Sequence, residues 1–178
     1  MRNYHEQAQL AHRLAEHIHY HQRDKGGDPY MDHVVRVAAS AMRHAPVSDF
    51  HLKSKLYIVG MLHDTVEDCE FGLPMNGSIT VEKFRDEIAE QIIMEQGPEI
   101  YVAVEALTHR AWVSEPYVEY IDRVKANMLA TEVKLEDLKD NFNPDRALRL
   151  ASLYPEQFKR VVEILIPRYI KAYDYLTH

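Results

Sequence analysis

The chain has one cysteine in 178 residues. A disulfide framework, a cysteine-based zinc finger and an iron–sulfur site are therefore excluded. Long apolar runs are also missing. The longest uncharged one, Leu56 to Leu62, falls far short of the ~20 residues that span a bilayer, so no membrane contact is expected. Arg2, Glu6, Arg13 and Glu16 interrupt the first twenty residues, so no secretory leader is expected. With a single cysteine, this points to the cytoplasm. Positive charge is in short supply: 21 Lys and Arg stand against 28 Asp and Glu, a net charge of −7. Non-specific nucleic-acid binding rests on a basic field and is not expected.

What the sequence does have is 11 histidines. Histidine and carboxylate are the only plausible metal-ligand set that the composition leaves. A small phosphorylated substrate stays compatible with the net charge, because a local basic cluster or a bound cation reverses the field inside a pocket.

No segment alternates with period two, and helical periodicity runs nearly throughout. The chain therefore reads as an all-α single domain over 1–178, a bundle of about eight to ten helices. Helices are expected over Tyr4 to Arg23, Met31 to His44, Leu52 to His63-Asp64, Val81 to Glu95 with Thr80 as N-cap, Pro98 to Leu107, Tyr117 to Ala126, Met128 to Phe142, and Pro155 to Leu176 with a kink at Pro167. Arg23 to Pro29 and Cys69 to Ser78 carry glycine and proline and read as loops, and Asn143-Pro144 reads as a helix stop.

Polar residues stand where this pattern asks for apolar ones. His63-Asp64 follows the most apolar run, with Glu67 and Asp68 four residues beyond. Four ionisable groups within six positions beside a buried helix are costly unless a cation compensates. Asp137 shares a helix face with Ala130, Val133 and Asn141, and His33 opens the face of Val34 and Val37. Asp140 is the fallback to Asp137. Each has a plainer reading: a satisfied core histidine, a solvated acidic pair, an Asp137 paired with Lys134 or Lys139. Three such coincidences together favour a site. His5, His12, His17, His19 and His21 read as ordinary helix-surface residues.

The order His33, His63-Asp64, Asp137 resembles the H…HD…D pattern of HD-domain metal-dependent phosphohydrolases. The strings Lys25-Gly26-Gly27-Asp28-Pro29-Tyr30-x-x-His33, His63-Asp64-Thr65-Val66-Glu67-Asp68 and Val133-Lys134-Leu135-x-Asp137-x-x-x-Asn141 resemble the hydrolase domain of RelA/SpoT-type enzymes. The resemblance covers Arg23 to Asn141 and implies a stand-alone small alarmone hydrolase. It implies that His33, His63, Asp64 and Asp137 hold one Mn²⁺, that Glu67 and Asp68 are catalytic, and that Arg23, Lys25 and Asn141 bind the nucleotide. The implied reaction removes the 3′-pyrophosphate from (p)ppGpp. Asp24 stands where such enzymes often carry a basic residue, and Phe142-Asn143-Pro144 replace their arginine and threonine. The substrate class therefore stays open between an alarmone and another phosphorylated nucleotide, such as NADPH or a nucleoside monophosphate. A binding module without turnover is the alternative from another class. Arg110, Arg160 and Arg168 are candidate helpers for the phosphates, with surface charge as the plainer reading.

Overall fold

The computed structural model describes residues 3–74 and 78–178, without the side chains of 145 and 146. The last part of the expected 69–78 loop, 75–77, lies outside the described residues. The helices are α1 (Tyr4–His19), α2 (Tyr30–Ala41), α3 (Phe50–Leu62), α4 (Val81–Gln96), α5 (Pro98–Leu107), α6 (Tyr117–Lys125), α7 (Met128–Asn141), α8 (Pro144–Leu153), α9 (Pro155–Arg160) and α10 (Ile166–Thr177). Among the described residues there is no strand, only an isolated antiparallel bridge between Arg23 and Pro29. No helix among them is long and apolar enough to cross a membrane.

Local chemistry sets most helix starts. Asn3 and Glu6 form a capping box on α1. Asp49, Thr80 and Asn127 each accept a backbone N–H at the start of α3, α4 and α7. Pro98 opens α5, where its missing N–H costs nothing.

The C-terminal half of helix α3, Leu56 to Leu62, is apolar all round, as a central segment must be. Leu56, Ile58, Val59, Met61 and Leu62 are all buried, and α1, α2, α5 and α7 pack around it. Gly60 permits a close approach of α2, since a Cβ there would lie 2.6 Å from the backbone Cα of Ala38. Gly60→Ala is expected to destabilise the protein by about 1–3 kcal/mol through overpacking. A lower urea midpoint at unchanged slope is the expected signature, and an unchanged midpoint would mean that α2 and α3 can separate freely.

Three departures from the sequence reading matter for the site. Helix α1 ends at His19, a turn early, because the chain then folds back: the Tyr30 N–H bonds the Gln22 carbonyl at 3.1 Å and the Asp24 N–H bonds the Asp28 carbonyl at 2.9 Å. Asn143-Pro144 ends α7 but also opens α8, since proline suits the first helical position as well as it breaks an interior. The segment after Asp68 forms a short 3₁₀ turn, Cys69–Gly72, rather than an irregular loop.

Helices α9 and α10 join through a π-turn at Val161–Leu165, in which the Ile166 N–H bonds the Val161 carbonyl. The extra residue in that turn precedes Pro167, whose ring would clash with an ordinary helical carbonyl.

Candidate metal centre and nucleotide pocket

The C-terminus of α3, the start of α2 and the middle of α7 meet at one buried point. His63 caps the end of α3, His33 lies in the first turn of α2, and Asp137 lies on the inward face of α7. One ligand atom from each of His33, His63 and Asp137 lies within 4.8 Å of the other two. Asp64 completes the group: its Oδ2 is 2.8 Å from His63 Nε2 and 3.9 Å from His33 Nε2. Asp137 Oδ1 is 3.3 Å from His33 Nε2.

Both imidazoles are oriented from behind. The His63 Nδ1–H donates to the Gly60 carbonyl at 2.7 Å. A carbonyl can only accept, so Nδ1 carries the proton and Nε2 faces the carboxylates. The His33 Nδ1–H donates to Asp140 Oδ2 at 2.7 Å, and Arg36 grips both oxygens of Asp140 at 2.7 and 3.0 Å. The fallback ligand Asp140 is thus placed behind His33. A histidine tied through one nitrogen to a carbonyl or carboxylate is the usual arrangement of a metal ligand.

The donor set fits a divalent cation. His63 Nε2 is buried and has no hydrogen-bond partner, although an oxygen of Asp64 stands close by. Two electron-rich atoms at that separation need a positive charge between them, either a proton or a metal ion. Two imidazoles and two carboxylates suit Mn²⁺ and similar borderline-hard ions.

The ion-free protein uses the proton. Burial opposes charge on His63, but Asp64 outweighs it and lifts its pKa to about 9. Asp64, in spite of burial, is held well below the carboxylate range by His63. Asp137 is likewise held low, burial being overcome by Lys134 and His33. Glu67 and Asp68 go the other way. Burial and the negative Asp64 push Glu67 up to about 8 and Asp68 up to about 7.

These shifts set a pH dependence. A histidine with a raised pKa stabilises the fold below its unfolded pKa, and that contribution is lost as pH rises through the folded one. A carboxylic acid with a raised pKa resists ionisation, so the fold again weakens as pH rises. The melting temperature of chelator-treated protein is therefore expected to fall between about pH 6.5 and 9. Added Mn²⁺ is expected to raise it most at the alkaline end. A melting temperature flat across this window, with and without the ion, would contradict the proton-for-metal exchange.

Beside the cluster lies a cavity of about 190 Å³ lined by Asp64, Glu67, Asp137 and Asn141 and by the cations Lys25, Lys134 and Arg168. Glu67 accepts the backbone N–H of His109 at 2.9 Å. Lys134 Nζ bonds Asp137 Oδ2 at 2.8 Å, so the pairing read as the plain alternative exists within the site itself. Asn141 donates to Asp137 Oδ1 at 2.7 Å. Rings of Tyr30, His109, Tyr117, Tyr120 and Tyr169 complete the walls. A smaller hollow shares Lys25, Asn141 and Tyr169 and continues under Ala147, Leu150 and Val161, so α8 and the π-turn close one side of the groove. A larger cavity of about 690 Å³, around Tyr4, Lys55, Met94 and Ile100, shares no lining residue with the cluster.

Of the three residues expected to bind the nucleotide, Lys25 and Asn141 line this cavity and Arg23 does not. Arg23 is exposed, while the neighbouring Asp24 turns inward and accepts the N–H groups of Gly26 and Asp28. Asp68 is not in the lining either; its Oδ2 accepts from Gln22 Nε2 at 2.8 Å. Of the candidate phosphate helpers, Arg168 lines the cavity, whereas Arg110 pairs with Glu105. One expectation is overturned: His19 is 1% exposed rather than on the surface, because α1 ends there and the returning chain covers it. His109 and the tyrosines of α6 and α10 were not singled out by the sequence, whereas Tyr30 and Lys134 stood within the motif strings without an assigned role in the site. A lysine three residues from a buried aspartate was the signal for Lys134.

No protein-family model matches the chain. Over 67 residues it is 36% identical to a GTP pyrophosphokinase of Streptomyces coelicolor. That match covers 38% of this chain and 7% of the longer protein. The chain is related to that enzyme over this segment.

Proposed function

We propose that the protein is a divalent-ion-dependent hydrolase that removes the 3′-pyrophosphate from (p)ppGpp-type alarmone nucleotides, leaving GDP or GTP and pyrophosphate. The observation that carries this reading is the buried convergence of His33, His63, Asp64 and Asp137 beside a cavity walled by Lys25, Lys134 and Arg168. The similarity to a GTP pyrophosphokinase supports the nucleotide class, since that name joins GTP to pyrophosphoryl transfer. The buried histidine–aspartate group supports hydrolysis rather than synthesis, because it suits the activation of water.

His33, His63, Asp64 and Asp137 would hold one ion, with Mn²⁺ as the proposed metal. When bound, it supplies Lewis acidity toward water and phosphate oxygen. The remaining chemistry belongs to the chain. Glu67 faces the cavity, fixed by the His109 N–H. It takes the proton of the attacking water as the water's oxygen bonds to phosphorus; the bond from phosphorus to the 3′-oxygen breaks, and Glu67 returns that proton to the departing 3′-oxygen, which leaves as the hydroxyl. Lys25 and Arg168 neutralise the phosphates, and neither is engaged by a carboxylate in the described contacts. Lys134 holds Asp137 in place. The tyrosine rings offer faces on which a base can stack.

Incubating Mn²⁺-loaded protein with ppGpp, NADPH and a nucleoside 5′-monophosphate tests this. Release of pyrophosphate from ppGpp, abolished by a chelator, is expected. Turnover of NADPH alone would move the substrate to another phosphorylated nucleotide. Tight nucleotide binding with no turnover would make the protein a binding module, and chelator-resistant turnover would end the metal reading.

A further inference from the structure

His19 is the least expected buried group near the site. It lies in the last turn of α1, with Nδ1 2.5 Å from Gln22 Oε1. Gln22 Nε2 in turn donates to Asp68 Oδ2 at 2.8 Å. With Asp68 ionised, the direction of this chain is set. A carboxylate accepts, so Gln22 must present its amide N–H to Asp68 and its carbonyl to His19. His19 must then carry its proton on Nδ1. Its Nε2 is buried without a partner, which suits a lone pair and not an N–H.

The same imidazole reaches the other end of the acidic turn. Its ring packs on Tyr30, centroids 5.0 Å apart, and the Tyr30 hydroxyl donates to Asp64 Oδ2 at 2.6 Å. The turn is itself closed by the Asp68 N–H on the Asp64 carbonyl at 2.8 Å. Gly72, just beyond the turn, packs directly on Ile18 of α1; a Cβ there would come within 2.8 Å of the Ile18 side chain.

We propose that His19 and Gln22 are positioning residues that anchor Asp68 on the α1 side of the Asp64–Asp68 turn, so that the adjacent Glu67 is presented to the cavity. Adjacent side chains in one tight turn leave the backbone in different directions, and each of these two carboxylates is then fixed by its own partner. Gln22 holds Asp68, and the His109 N–H holds Glu67. The inference rests on the hydrolase reading for its kinetic consequence but not for the hydrogen-bond chain itself.

Two measurements separate these. Long-range ¹⁵N–¹H correlation of the histidine rings reads the His19 tautomer without any turnover. The Nδ1–H form is expected, and an Nε2–H form would overturn the chain. Kinetically, Gln22→Leu is expected to lower kcat by about ten- to a hundredfold through misplacement of the acidic turn, with KM and bound divalent ion unchanged. An unchanged kcat would overturn the positioning role. His19→Asn keeps an N–H near the place of Nδ1 and is expected to retain most of kcat, whereas His19→Leu is expected to match Gln22→Leu. Equal loss in both His19 variants would show a packing role only. If wild-type protein turns over none of the nucleotides above, the hydrolase reading falls, and the tautomer still decides the hydrogen-bond chain.

Discussion

Asp64→Asn and His63→Ala are expected to lose the divalent ion and to lower turnover by at least about a thousandfold. Lewis-acid stabilisation contributes several kcal/mol, and each 1.36 kcal/mol is about tenfold in rate. The two variants fail for different reasons. Asp64→Asn keeps the shape but removes the charge that His63 Nε2 faces at 2.8 Å. His63→Ala removes the donor whose orientation the Gly60 carbonyl fixes. Metal content by mass spectrometry should fall in parallel with turnover. Full metal occupancy in both variants would mean that the ion is held elsewhere.

Glu67→Gln is expected to behave differently, with full metal content and turnover lower by about 10²–10⁴, the usual worth of a positioned proton acceptor. The amide can still accept the His109 N–H, so the local backbone is preserved. What it cannot do is take a proton. A variant at near wild-type rate would remove Glu67 from the chemistry and transfer the role to another cavity group.

The contrast between these variants follows from what the sequence made legible. Metal candidates were visible because burial and charge conflict within each of three short segments, around His33, His63-Asp64 and Asp137. Asp137 sits on the face of Ala130 and Val133, both buried, and no apolar pattern explains a carboxylate there. Helix α5 was equally legible, since Pro98 starts it and the apolar residues continue to Leu107.

What was hidden depends on contacts distant in sequence. His19 looks like His17 by residue type, yet one is buried and the other exposed, because the return of residues 20–30 covers only His19. Asp140 reads as a spare ligand until Arg36 is seen gripping it from α2. Helix α8 was missed because Asn143-Pro144 is a stop signal for one helix and a start signal for the next. Arg168 and Tyr169 reach the cavity from α10, on the far side of a π-turn that no short pattern announces.

The central claim is that one divalent ion sits among His33, His63, Asp64 and Asp137. Anomalous scattering from a crystal of the protein soaked in Mn²⁺ tests it most directly. The account predicts a single strong peak within bonding reach of both Nε2 atoms and the two carboxylates. A fully diffracting crystal with no peak there, or with its strong peak at another site, would contradict it.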